Sequence, residues 1–313
     1  MTKEQKAVTQ KNRCWIIAGP TASGKSALAV DLAKRHNGVI INADSMQIYR
    51  EIPVISAQPS NEERGDVPHL LYGFHPVTEH YSAADWAASA AKAVDEVLAS
   101  GKKPILVGGS GMYLKALTEG FSPMPVVSAA VRKHVCDLYD MLGSSGFHHA
   151  LQKIDPVLAS RLHATDRQRC IRGREVYEET GVPLSEWQSR PKQNPAPHLS
   201  FTTLLLLPDR EWLYERINRR FQIMVETGAL QEAEIANNLN LDFTMTGARA
   251  VGLQELRDHL EHRLTLDEAI ELGQTQSRQY AKRQYTWFRG QKLPDTTIIN
   301  TIEAAETYDP LFS

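Results

Sequence analysis

Short apolar runs alternate with amphipathic segments through the first third of the chain. Residues 14–18, 39–43 and 104–107 are apolar runs bounded by polar or turn-forming residues, the pattern of buried strands. Residues 26–34, and the segment that begins at Ser82, instead repeat their apolar residues at helical spacing. Such an alternation predicts an α/β fold built on a parallel sheet.

The pattern changes in the middle of the chain, where no strand-like run occurs before 201–207. Helical patterns fill this interval and are separated by clusters of Gly and Pro. After the strand pattern at 201–207 the chain continues with two long helical segments. We therefore predict a catalytic core formed by 1–121 and 201–313, interrupted by a helical insertion domain at 122–200.

Composition narrows the class of protein. The chain has 313 residues, 42% of them hydrophobic and 23% charged, which is enough for about two globular domains. No apolar stretch approaches the ~20 residues of a membrane span, so we expect no signal peptide or anchor and a cytoplasmic location. Cys14, Cys136 and Cys170 are widely spaced, which argues against a disulfide framework and a structural zinc. The formal net charge of -2 means that any nucleic acid must bind to a local basic surface.

A complete phosphate-binding loop follows the first predicted strand. The motif G-x-x-x-x-G-K-S occupies Gly19, Pro20, Thr21, Ala22, Ser23, Gly24, Lys25 and Ser26. Between a strand and a helix, such a loop turns its backbone N–H groups inward as an anion nest. Lys25 can reach the outer phosphate, and the Ser26 hydroxyl suits Mg²⁺. The predicted core is thus P-loop NTPase-like, a parallel sheet flanked by helices. Which phosphate compound binds, and whether ATP can occupy the loop, is left open.

Asp44 is the first catalytic candidate because it directly follows the second strand pattern. Ligands of open parallel sheets bind at the carboxyl ends of the strands. An aspartate there can belong to a Mg²⁺ shell, act as a general base, or cap the next turn, and we favour the base. The Gly-rich run 108–111 and the Pro-containing run 122–125 are weaker signals that turns alone could explain.

The last long helical pattern, which ends at Gly290, carries a basic stripe. Its members Arg278, Lys282, Tyr285 and Arg289 fall at i, i+4, i+7 and i+11, with no acid among them. A solvated helix face would usually include acidic partners at that spacing, so we predict a surface for nucleic acid. Arg283, outside this stripe, is predicted to pack near Trp287 on the other side of the helix.

Two further groups of arginines stand out. Arg216 and Arg220 lie four residues apart on one side of a helix, where like charges repel unless an anion lies near them. Two solvated arginines at the edge of the core would explain the pair equally well. The insertion contributes a cluster of its own, formed by Arg167, Arg169, Arg172 and Arg174. Three basic clusters in a chain of slightly negative net charge suggest that they share one surface.

Further motifs follow the phosphate loop along nearly the whole chain. They are D-S-M-Q-I-Y-R at 44–50, P-H at 68–69, Y-S-A-A at 81–84, G-G-S-G-M-Y at 108–113, D-R-Q-R-C-I-R at 166–172, A-R-A-V-G at 248–252 and S-R-Q-Y-A-K-R-Q-Y-T-W-F-R at 277–289. Phosphate loops occur in many families, whereas the first and last of these motifs are specific together. The chain resembles the bacterial tRNA dimethylallyltransferases, the tRNA isopentenyltransferase (IPP transferase) family.

This resemblance implies transfer of a dimethylallyl group from dimethylallyl diphosphate to N6 of the adenine 3′-adjacent to the anticodon, with Mg²⁺ as cofactor. Lys25, the phosphate loop and Arg220 would neutralise the diphosphate leaving group. Asp44 would accept the proton of the attacking amine. The family places these groups in a channel with one mouth for tRNA and one for the diphosphate, and the target adenine would be flipped out of the anticodon loop.

The resemblance also implies contacts to tRNA from several parts of the chain. The implied tRNA-binding residues are Asp44, Ser45, Met46, Gln47, Ser110, Arg132, Gln168, Arg169, Cys170, Ile171, Arg172, Arg249, Ala250, Val251, Gly252, Leu253, Gln254, Lys282, Arg283, Gln284, Tyr285, Thr286, Trp287, Phe288 and Arg289. The partners are the tRNA anticodon loop and dimethylallyl diphosphate. We expect no membrane contact and no obligate protein partner, and hence a monomer.

Four positions depart from the family pattern. Gln58 stands where Lys or Arg is usual, so a cationic contact to phosphate or RNA would be absent. Gly173 and Arg174 replace Ala and Leu in the insertion, and a glycine in a helix interior costs about 1 kcal/mol, so we expect that helix to bend or pack differently. Leu253 replaces a Tyr, and any stacking or hydroxyl contact made there is lost.

Three classes of function remain open at the level of the residues. Prenyl transfer to tRNA uses every motif, and transfer to a free nucleotide is a variant of it that leaves the insertion and the stripe without a role. A small-molecule kinase would share the phosphate loop but would need a nucleoside triphosphate and would not use the stripe. A non-catalytic RNA-binding protein with a regulatory nucleotide site is the third class.

Overall fold

The computed structural model describes residues 12–241 and 245–301. The polar N-terminal segment on which the expectation of no signal peptide rests lies outside these residues. The chain divides into two compact units, Met1–Thr118 together with Pro195–Ser313, and Glu119–Asn194. The first unit contains the sheet, and the second is built of helices.

A parallel sheet of six strands forms the core of the first unit. The strands are β1 Arg13–Ala18, β2 Gly38–Asn42, β3 His69–Leu70, β4 Lys103–Gly108, β5 Ser200–Leu206 and β6 Thr296–Ile299. Their order is β3-β2-β4-β1-β5-β6, and every neighbouring pair is parallel. The predicted α/β fold is confirmed, and the four predicted strands correspond to β1, β2, β4 and β5. The strands β3 and β6 were not predicted, because one has only two residues and the other alternates exposed and covered positions.

Helices lie in both units. Those of the chain are α1 Lys25–His36, α2 Asn61–Arg64, α3 Ala83–Ala99, α4 Gly111–Glu119, α5 Ala129–Ile154, α6 Pro156–Ala159, α7 Arg167–Thr180, α8 Leu184–Ser189, α9 Arg210–Met224, α10 Leu230–Asn238, α11 Leu253–Leu260 and α12 Leu266–Gly290. Capping boxes begin α3 at Ser82 and α12 at Thr265, so the chain has local signals for the start of both.

The central strands are buried because helices cover the sheet. All five residues of β2 are buried, as are the last five of β1. Ile17 and Ile105 on neighbouring strands share one core cluster with Leu28 and Leu32 of α1. Near-continuous apolar strands of this type are typical of parallel sheets, and they hold the carboxyl ends of β1, β2 and β4 side by side.

The helical unit Glu119–Asn194 has its own apolar core, to which α5, α7 and α8 contribute. The helix α7 runs without interruption from Arg167 to Thr180, so Gly173 lies inside a continuous helix. A Cβ atom at Gly173 would lie 2.4 Å from Leu158 Cδ2, so the glycine allows α7 to approach α6 closely. Arg174 forms an ion pair with Glu178. These two departures therefore have a packing explanation inside the unit.

Two observations concern membranes and thiols. Among the described residues, no helix has both the length and the apolar composition needed to cross a membrane. The three cysteines are free thiols, and Cys14 and Cys170 are buried. Burial raises the pKa of the Cys136 and Cys170 thiols, which favours the unreactive protonated form.

Candidate active site

The phosphate loop connects β1 to α1, as the sequence predicts. Gly24 precedes α1 in the left-handed region, at φ 93°, where a glycine is strongly preferred. Gly19 is needed for space, because a Cβ atom there would lie 2.6 Å from the carbonyl oxygen of Leu206. The loop therefore leads into the N-terminus of a twelve-residue helix, whose first N–H groups and dipole favour an anion.

Lys25 is shielded from solvent and lies near two other charged side chains, those of Asp44 and Arg220. Its Nζ donates a hydrogen bond to the carbonyl oxygen of Pro20 at 3.2 Å. Burial lowers the pKa of Lys25 to about 8, with Asp44 raising it and Arg220 lowering it further. Asp44 and Arg220 are thus close enough to influence the Lys25 ammonium, and the three predicted catalytic residues belong to one site.

Both arginines of the Arg216 and Arg220 pair contact the phosphate loop from α9. Arg220 Nη2 donates a hydrogen bond to Thr21 Oγ1. Arg216 Nε donates to the carbonyl oxygen of Ala22 at 3.1 Å. Burial lowers the pKa of Arg220 to about 10, while Asp44 acts in the opposite direction. The two like charges are therefore placed around the loop that would hold an anion, which favours the anion explanation over two solvated arginines.

Asp44 is held at the end of β2 by a network centred on Asn42. The fully buried Asn42 accepts the Asp44 N–H on Oδ1 at 2.8 Å. Its Nδ2 donates to the carbonyl oxygens of Asp44 and Leu71, both at 3.0 Å. Asp44 Oδ1 accepts the Met46 N–H at 3.0 Å, so Asp44 does cap the next turn. The second carboxylate oxygen accepts no hydrogen bond from the part of the chain that the structure describes, and it can still receive a proton.

One pocket is lined by two of the three predicted catalytic residues, Asp44 and Arg220, and by Thr21 of the phosphate loop, whereas Lys25 does not line it. Its space, including open solvent at the mouth, is about 530 Å³. The lining residues are Thr21, Asp44, Met46, Ile55, Ser56, Ile217, Arg220, Phe221, Met224, Ala250, Val251, Ser277 and Tyr280. The set combines the charged Asp44 and Arg220 and the polar Thr21 with several apolar side chains. A pocket of this composition suits a ligand with a charged head and a short apolar tail.

The loop at 54–57 forms part of the pocket wall and is held by the buried Glu232 and the half-buried Gln47. Glu232 of α10 accepts the Val54 N–H on Oε1 at 2.6 Å and the Ile55 N–H on Oε2 at 2.8 Å. Gln47 Nε2 donates to the carbonyl oxygens of Ser56 and Ala57 at 3.2 and 2.6 Å. Burial raises the pKa of Glu232, against the effect of its two backbone donors. Gln47 thus supports the pocket, and Glu232 was not predicted at all.

The face of α12 that lines the pocket is not the face that carries the basic stripe. Ser277 and Tyr280 line the pocket, and neither was singled out from the sequence. Burial raises the pKa of Tyr280, as does the Asp44 carboxylate, while a hydrogen bond with Ser110 lowers it. Arg283 is exposed with its guanidinium 5.8 Å from the Tyr280 ring centre, and its packing near Trp287 stays a prediction.

The basic stripe itself is divided. Arg278 Nη1 donates to Asn218 Oδ1 of α9 at 2.5 Å, and the Arg210 guanidinium lies 5.1 Å from the Tyr285 ring centre. Lys282 and Arg289 are exposed. The absence of acids from the stripe is therefore explained for half of its members by contacts with α9, and only Lys282 and Arg289 present their charges outward.

Gln284 connects α12 to the phosphate loop. The residue is 6% exposed; its Oε1 accepts the Thr21 N–H at 2.8 Å, and its Nε2 donates to the Gly109 carbonyl oxygen at 2.9 Å. A Cβ atom at Gly109 would lie 2.3 Å from Gln284 Nε2, and one at Gly111 would lie 2.4 Å from the Trp287 ring. The Gly-rich run after β4 thus exists for the close approach of α12. Gln284 faces the protein interior, which corrects its assignment to a tRNA surface.

We expect Gln284→Leu to lower the free energy of unfolding by roughly 2 to 6 kcal/mol. The substitution leaves a buried N–H and a buried C=O without partners, at about 1 to 3 kcal/mol for each. Urea unfolding measures the effect. The exposed neighbour Thr286 offers a matched control, since Thr286→Ala should change the unfolding free energy by no more than about 0.5 kcal/mol. Equal stability of the Gln284→Leu variant and the wild-type chain would contradict the bridging role.

The other residues considered for RNA contact are either buried or hold the loops near the pocket. Several are buried in the structure: Cys170, Ile171, Ala250, Leu253 and Phe288. Leu253 is fully buried, so it replaces the family's Tyr with a core residue. Gln58 Nε2 donates to the Tyr49 carbonyl oxygen at 2.7 Å and thereby supports the loop near the pocket. Ser110 Oγ accepts the Ser45 N–H at 2.8 Å, which ties the loop after β4 to the one after β2.

The arginine cluster of the helical unit is interleaved with acids. The pairs are Arg167 with Asp140, Arg169 with Asp166, Arg172 with Glu175, Arg174 with Glu178, and Arg132 with Glu175. Side-chain exposure is 74% for Arg169, the most accessible of them. The pairs of Arg167 and Arg169 are the exposed ones, and exposed pairs contribute little stability, so these two arginines are the ones available to phosphates. The cluster is therefore less strongly basic than its arginines alone suggest.

Comparison with known proteins relates the chain to one family. The family described as IPP transferase matches residues 47–291. A tRNA dimethylallyltransferase of Parvibaculum lavamentivorans is 47% identical over 287 residues, 90% of this chain and 89% of that protein. Another, of Rickettsia bellii, is 41% identical over 290 residues, 92% of this chain and 91% of that protein.

Solved structures show the same relationship. The crystal structure of the full-length tRNA isopentenylpyrophosphate transferase of Bacillus halodurans aligns with a TM-score of 0.68 at 32% identity, covering 96% of both chains. A eukaryotic dimethylallyltransferase, captured in crystallographic snapshots as it acts on tRNA, aligns with a TM-score of 0.71 at 28% identity, over 95% of this chain and 76% of that one.

Proposed function

The chain belongs to the IPP transferase family, and from this premise we propose how its own residues perform prenyl transfer to tRNA. The reaction moves a dimethylallyl group from dimethylallyl diphosphate to N6 of the adenine 3′-adjacent to the anticodon and releases diphosphate. The observation that supports our assignment is a pocket that Thr21, Arg220 and Asp44 line together with apolar side chains.

The phosphate loop and its two cations hold the leaving group. Backbone N–H groups at the start of α1 face the diphosphate, while Lys25 and Arg220 supply positive charge in a site with little water. As the bond between the allylic carbon and the diphosphate oxygen breaks, negative charge grows on that oxygen. Fixed cations placed there stabilise the transition state more than the ground state. This assigns binding and leaving-group stabilisation to Lys25 and Arg220.

Asp44 acts on the acceptor amine. The N6 nitrogen forms its new bond to the allylic carbon and must lose a proton, which the second carboxylate oxygen of Asp44 accepts. Asn42 holds the Asp44 backbone and the Met46 N–H holds one carboxylate oxygen, so the side chain is anchored where Asp44 lines the pocket. The base edge of the adenine has to leave the stack of the anticodon loop to reach it.

The loop also fits a magnesium ion as a partner of the diphosphate. The described residues contain no group of three His, Cys, Asp or Glu side chains that could hold a metal by themselves. Mg²⁺ usually binds through substrate phosphates, waters and one or two protein oxygens, and the exposed Ser26 hydroxyl can be one of these. When bound, the ion would neutralise diphosphate charge. The Ser23 hydroxyl is buried in the loop without a hydrogen-bond partner in the described chain, as in a loop that a polar ligand completes.

The exposed part of the basic stripe is the proposed tRNA surface of the first unit, and the helical unit has exposed cations of its own. We assign Lys282 and Arg289 to phosphate contacts, and Arg169 and Arg249 are exposed enough to contribute. Gln168 and Thr286 are exposed polar neighbours of these cations, Val251 lines the pocket, and Trp287 packs against Gly111. The cytoplasmic location stays part of this proposal because the acceptor is a tRNA, and the monomeric state stays a prediction from the sequence.

Neutralising Lys282 or Arg289 is expected to weaken tRNA binding in a salt-dependent way. Each lost phosphate contact should lower the slope of log K against log salt by about 0.7 to 0.9. Filter binding across a salt series measures the slope. Arg278→Ala is the matched control: it removes the same charge from the same stripe, but Arg278 is engaged with Asn218, so the slope should not change. An unchanged slope in a Lys282→Ala, Arg289→Ala double variant would show that the stripe is only a solvated face.

The reaction itself is tested with dimethylallyl diphosphate labelled in the prenyl group, Mg²⁺ and unmodified tRNA. Label in the tRNA, located at the adenine by nuclease digestion, supports the proposal. Phosphate transfer from ATP without prenyl transfer would favour the small-molecule kinase. Binding of tRNA without either transfer would leave the non-catalytic RNA-binding protein. A free adenine nucleotide as the better acceptor would identify the variant reaction.

A further inference from the structure

The apolar end of the pocket is formed largely by two turns of α9. Ile217, Phe221 and Met224 line it, and Arg220 on the same helix reaches the phosphate loop. Ile55 contributes from the loop that Glu232 holds. A ligand with its diphosphate at Arg220 therefore directs its carbon chain along this wall. The position of this wall therefore limits the length of the carbon chain that the pocket can hold.

Phe221 is the largest apolar side chain of this wall, and its ring is confined from behind. A Cβ atom at Gly252 would lie 2.4 Å from Phe221 Cε2, and one at Gly273 would lie 2.1 Å from Phe221 Cζ. Gly252 has φ +91°, and Gly273 lies inside α12. Two separate segments thus bring their backbones against the same ring. The ring is 3% exposed and has no free space into which it could retreat.

We propose that Phe221 is the residue that limits the prenyl donor to a single isoprene unit. The inference rests on the proposed function, because it concerns the tail of the diphosphate ester that the pocket would bind. Truncation of Phe221 to alanine removes a six-carbon ring and extends the pocket toward Gly252 and Gly273. The next longer donor, geranyl diphosphate, carries five more carbons than dimethylallyl diphosphate. The space gained therefore matches one isoprene unit in size.

The test measures transfer from geranyl and from dimethylallyl diphosphate to unmodified tRNA. For Phe221→Ala we expect the ratio of kcat/KM for geranyl over dimethylallyl diphosphate to rise by at least about tenfold, since even one methylene in an apolar pocket changes specificity by about 10 to 200-fold. Phe221→Leu should give a smaller rise. Leu213→Ala is the matched control: it makes a cavity in the same helix at a buried residue that does not line the pocket, so its ratio should stay at the wild-type value.

A change in the opposite direction tests the confinement of the ring. Gly273→Ala places a Cβ atom against the Phe221 ring and should push it into the pocket, which raises KM for dimethylallyl diphosphate several-fold. Alanine is a better helix former than glycine, so helix formation is not the cause. A smaller side chain at position 221, in the Gly273→Ala, Phe221→Leu double variant, should return KM for dimethylallyl diphosphate to the wild-type value. Loss of activity that the double variant does not restore would contradict the role of Phe221 as the wall.

Failure of this inference is distinguishable from failure of the proposed function. A wild-type chain that prenylates tRNA, together with a folded Phe221→Ala variant that excludes geranyl diphosphate, overturns the inference alone. If the wild type transfers no prenyl group, calorimetric binding of the two diphosphates to wild type and Phe221→Leu still decides it. Tighter binding of geranyl diphosphate by the variant supports the inference, and unchanged relative affinity overturns it.

Discussion

Asparagine in place of Asp44 is expected to reduce turnover by roughly 10² to 10⁴, the usual contribution of a general base. The substitution keeps the shape of the side chain and the oxygen that accepts the Met46 N–H, so the turn after β2 should remain formed. What it removes is the oxygen that can take up the N6 proton. Single-turnover transfer with saturating donor and tRNA measures the chemical step, and tRNA affinity measured by filter binding should be nearly unchanged.

The same variant separates the base from a metal ligand. If Asp44 belonged to a Mg²⁺ shell, Asp44→Asn would raise the metal requirement, and excess Mg²⁺ would partly restore turnover. A variant that keeps more than half of the wild-type rate would remove Asp44 from the mechanism altogether. Asn42→Leu is an informative companion, because it leaves the carboxylate in place but removes both hydrogen bonds that link it to the Asp44 backbone.

The parts of the fold and site that the sequence predicts correctly depend on local patterns. The phosphate loop lies between β1 and α1 because strand, glycine spacing and helix are contiguous in the chain. Capping boxes define where α3 and α12 begin for the same reason. Asp44 could be placed at the site because the order of parallel strands brings their carboxyl ends to one edge.

Residues whose partners are distant in the chain could not be predicted in this way. Gln284 bonds with Thr21, 263 residues away, and Glu232 with Val54, 178 residues away. A polar residue within an apolar run, such as Asn42 in β2, indicates a buried side chain that must have hydrogen-bond partners. Burial of an amide or carboxylate requires partners, but the sequence does not say which backbone groups those partners are.

The basic stripe shows a limit of helical periodicity. Spacing correctly groups Arg278, Lys282, Tyr285 and Arg289 on one side of α12, yet it cannot distinguish an RNA phosphate from the Asn218 side chain as the partner of Arg278. Glycines raise a similar difficulty. The run after β4 has the composition of a turn, and only the packing of Gln284 and Trp287 against Gly109 and Gly111 reveals its purpose.

Alanine in place of Lys25 is expected to lower kcat/KM for dimethylallyl diphosphate by roughly 10² to 10³, the effect of removing one fixed donor to a developing charge. Affinity for tRNA should stay within a few fold, because Lys25 lies at the phosphate loop. Steady-state kinetics with varied diphosphate and filter-bound tRNA measure the two effects separately. Lys34→Ala is the matched control, since it removes the same charge from an exposed position at the other end of α1 and should leave kcat/KM unchanged.

The pH dependence of this parameter provides a second readout of Lys25. Burial lowers the pKa of Lys25 to about 8, so the ammonium is charged below that pH and neutral above it. kcat/KM reports the ionisation of the free enzyme. In the wild type, log kcat/KM should therefore fall with a slope of about -1 against pH above about 8, as Lys25 loses one proton. The Lys25→Ala variant has no ammonium to lose, so this limb should be absent from its profile. A limb that persists in the variant, or equal loss of tRNA binding and donor use, would remove Lys25 from the diphosphate site.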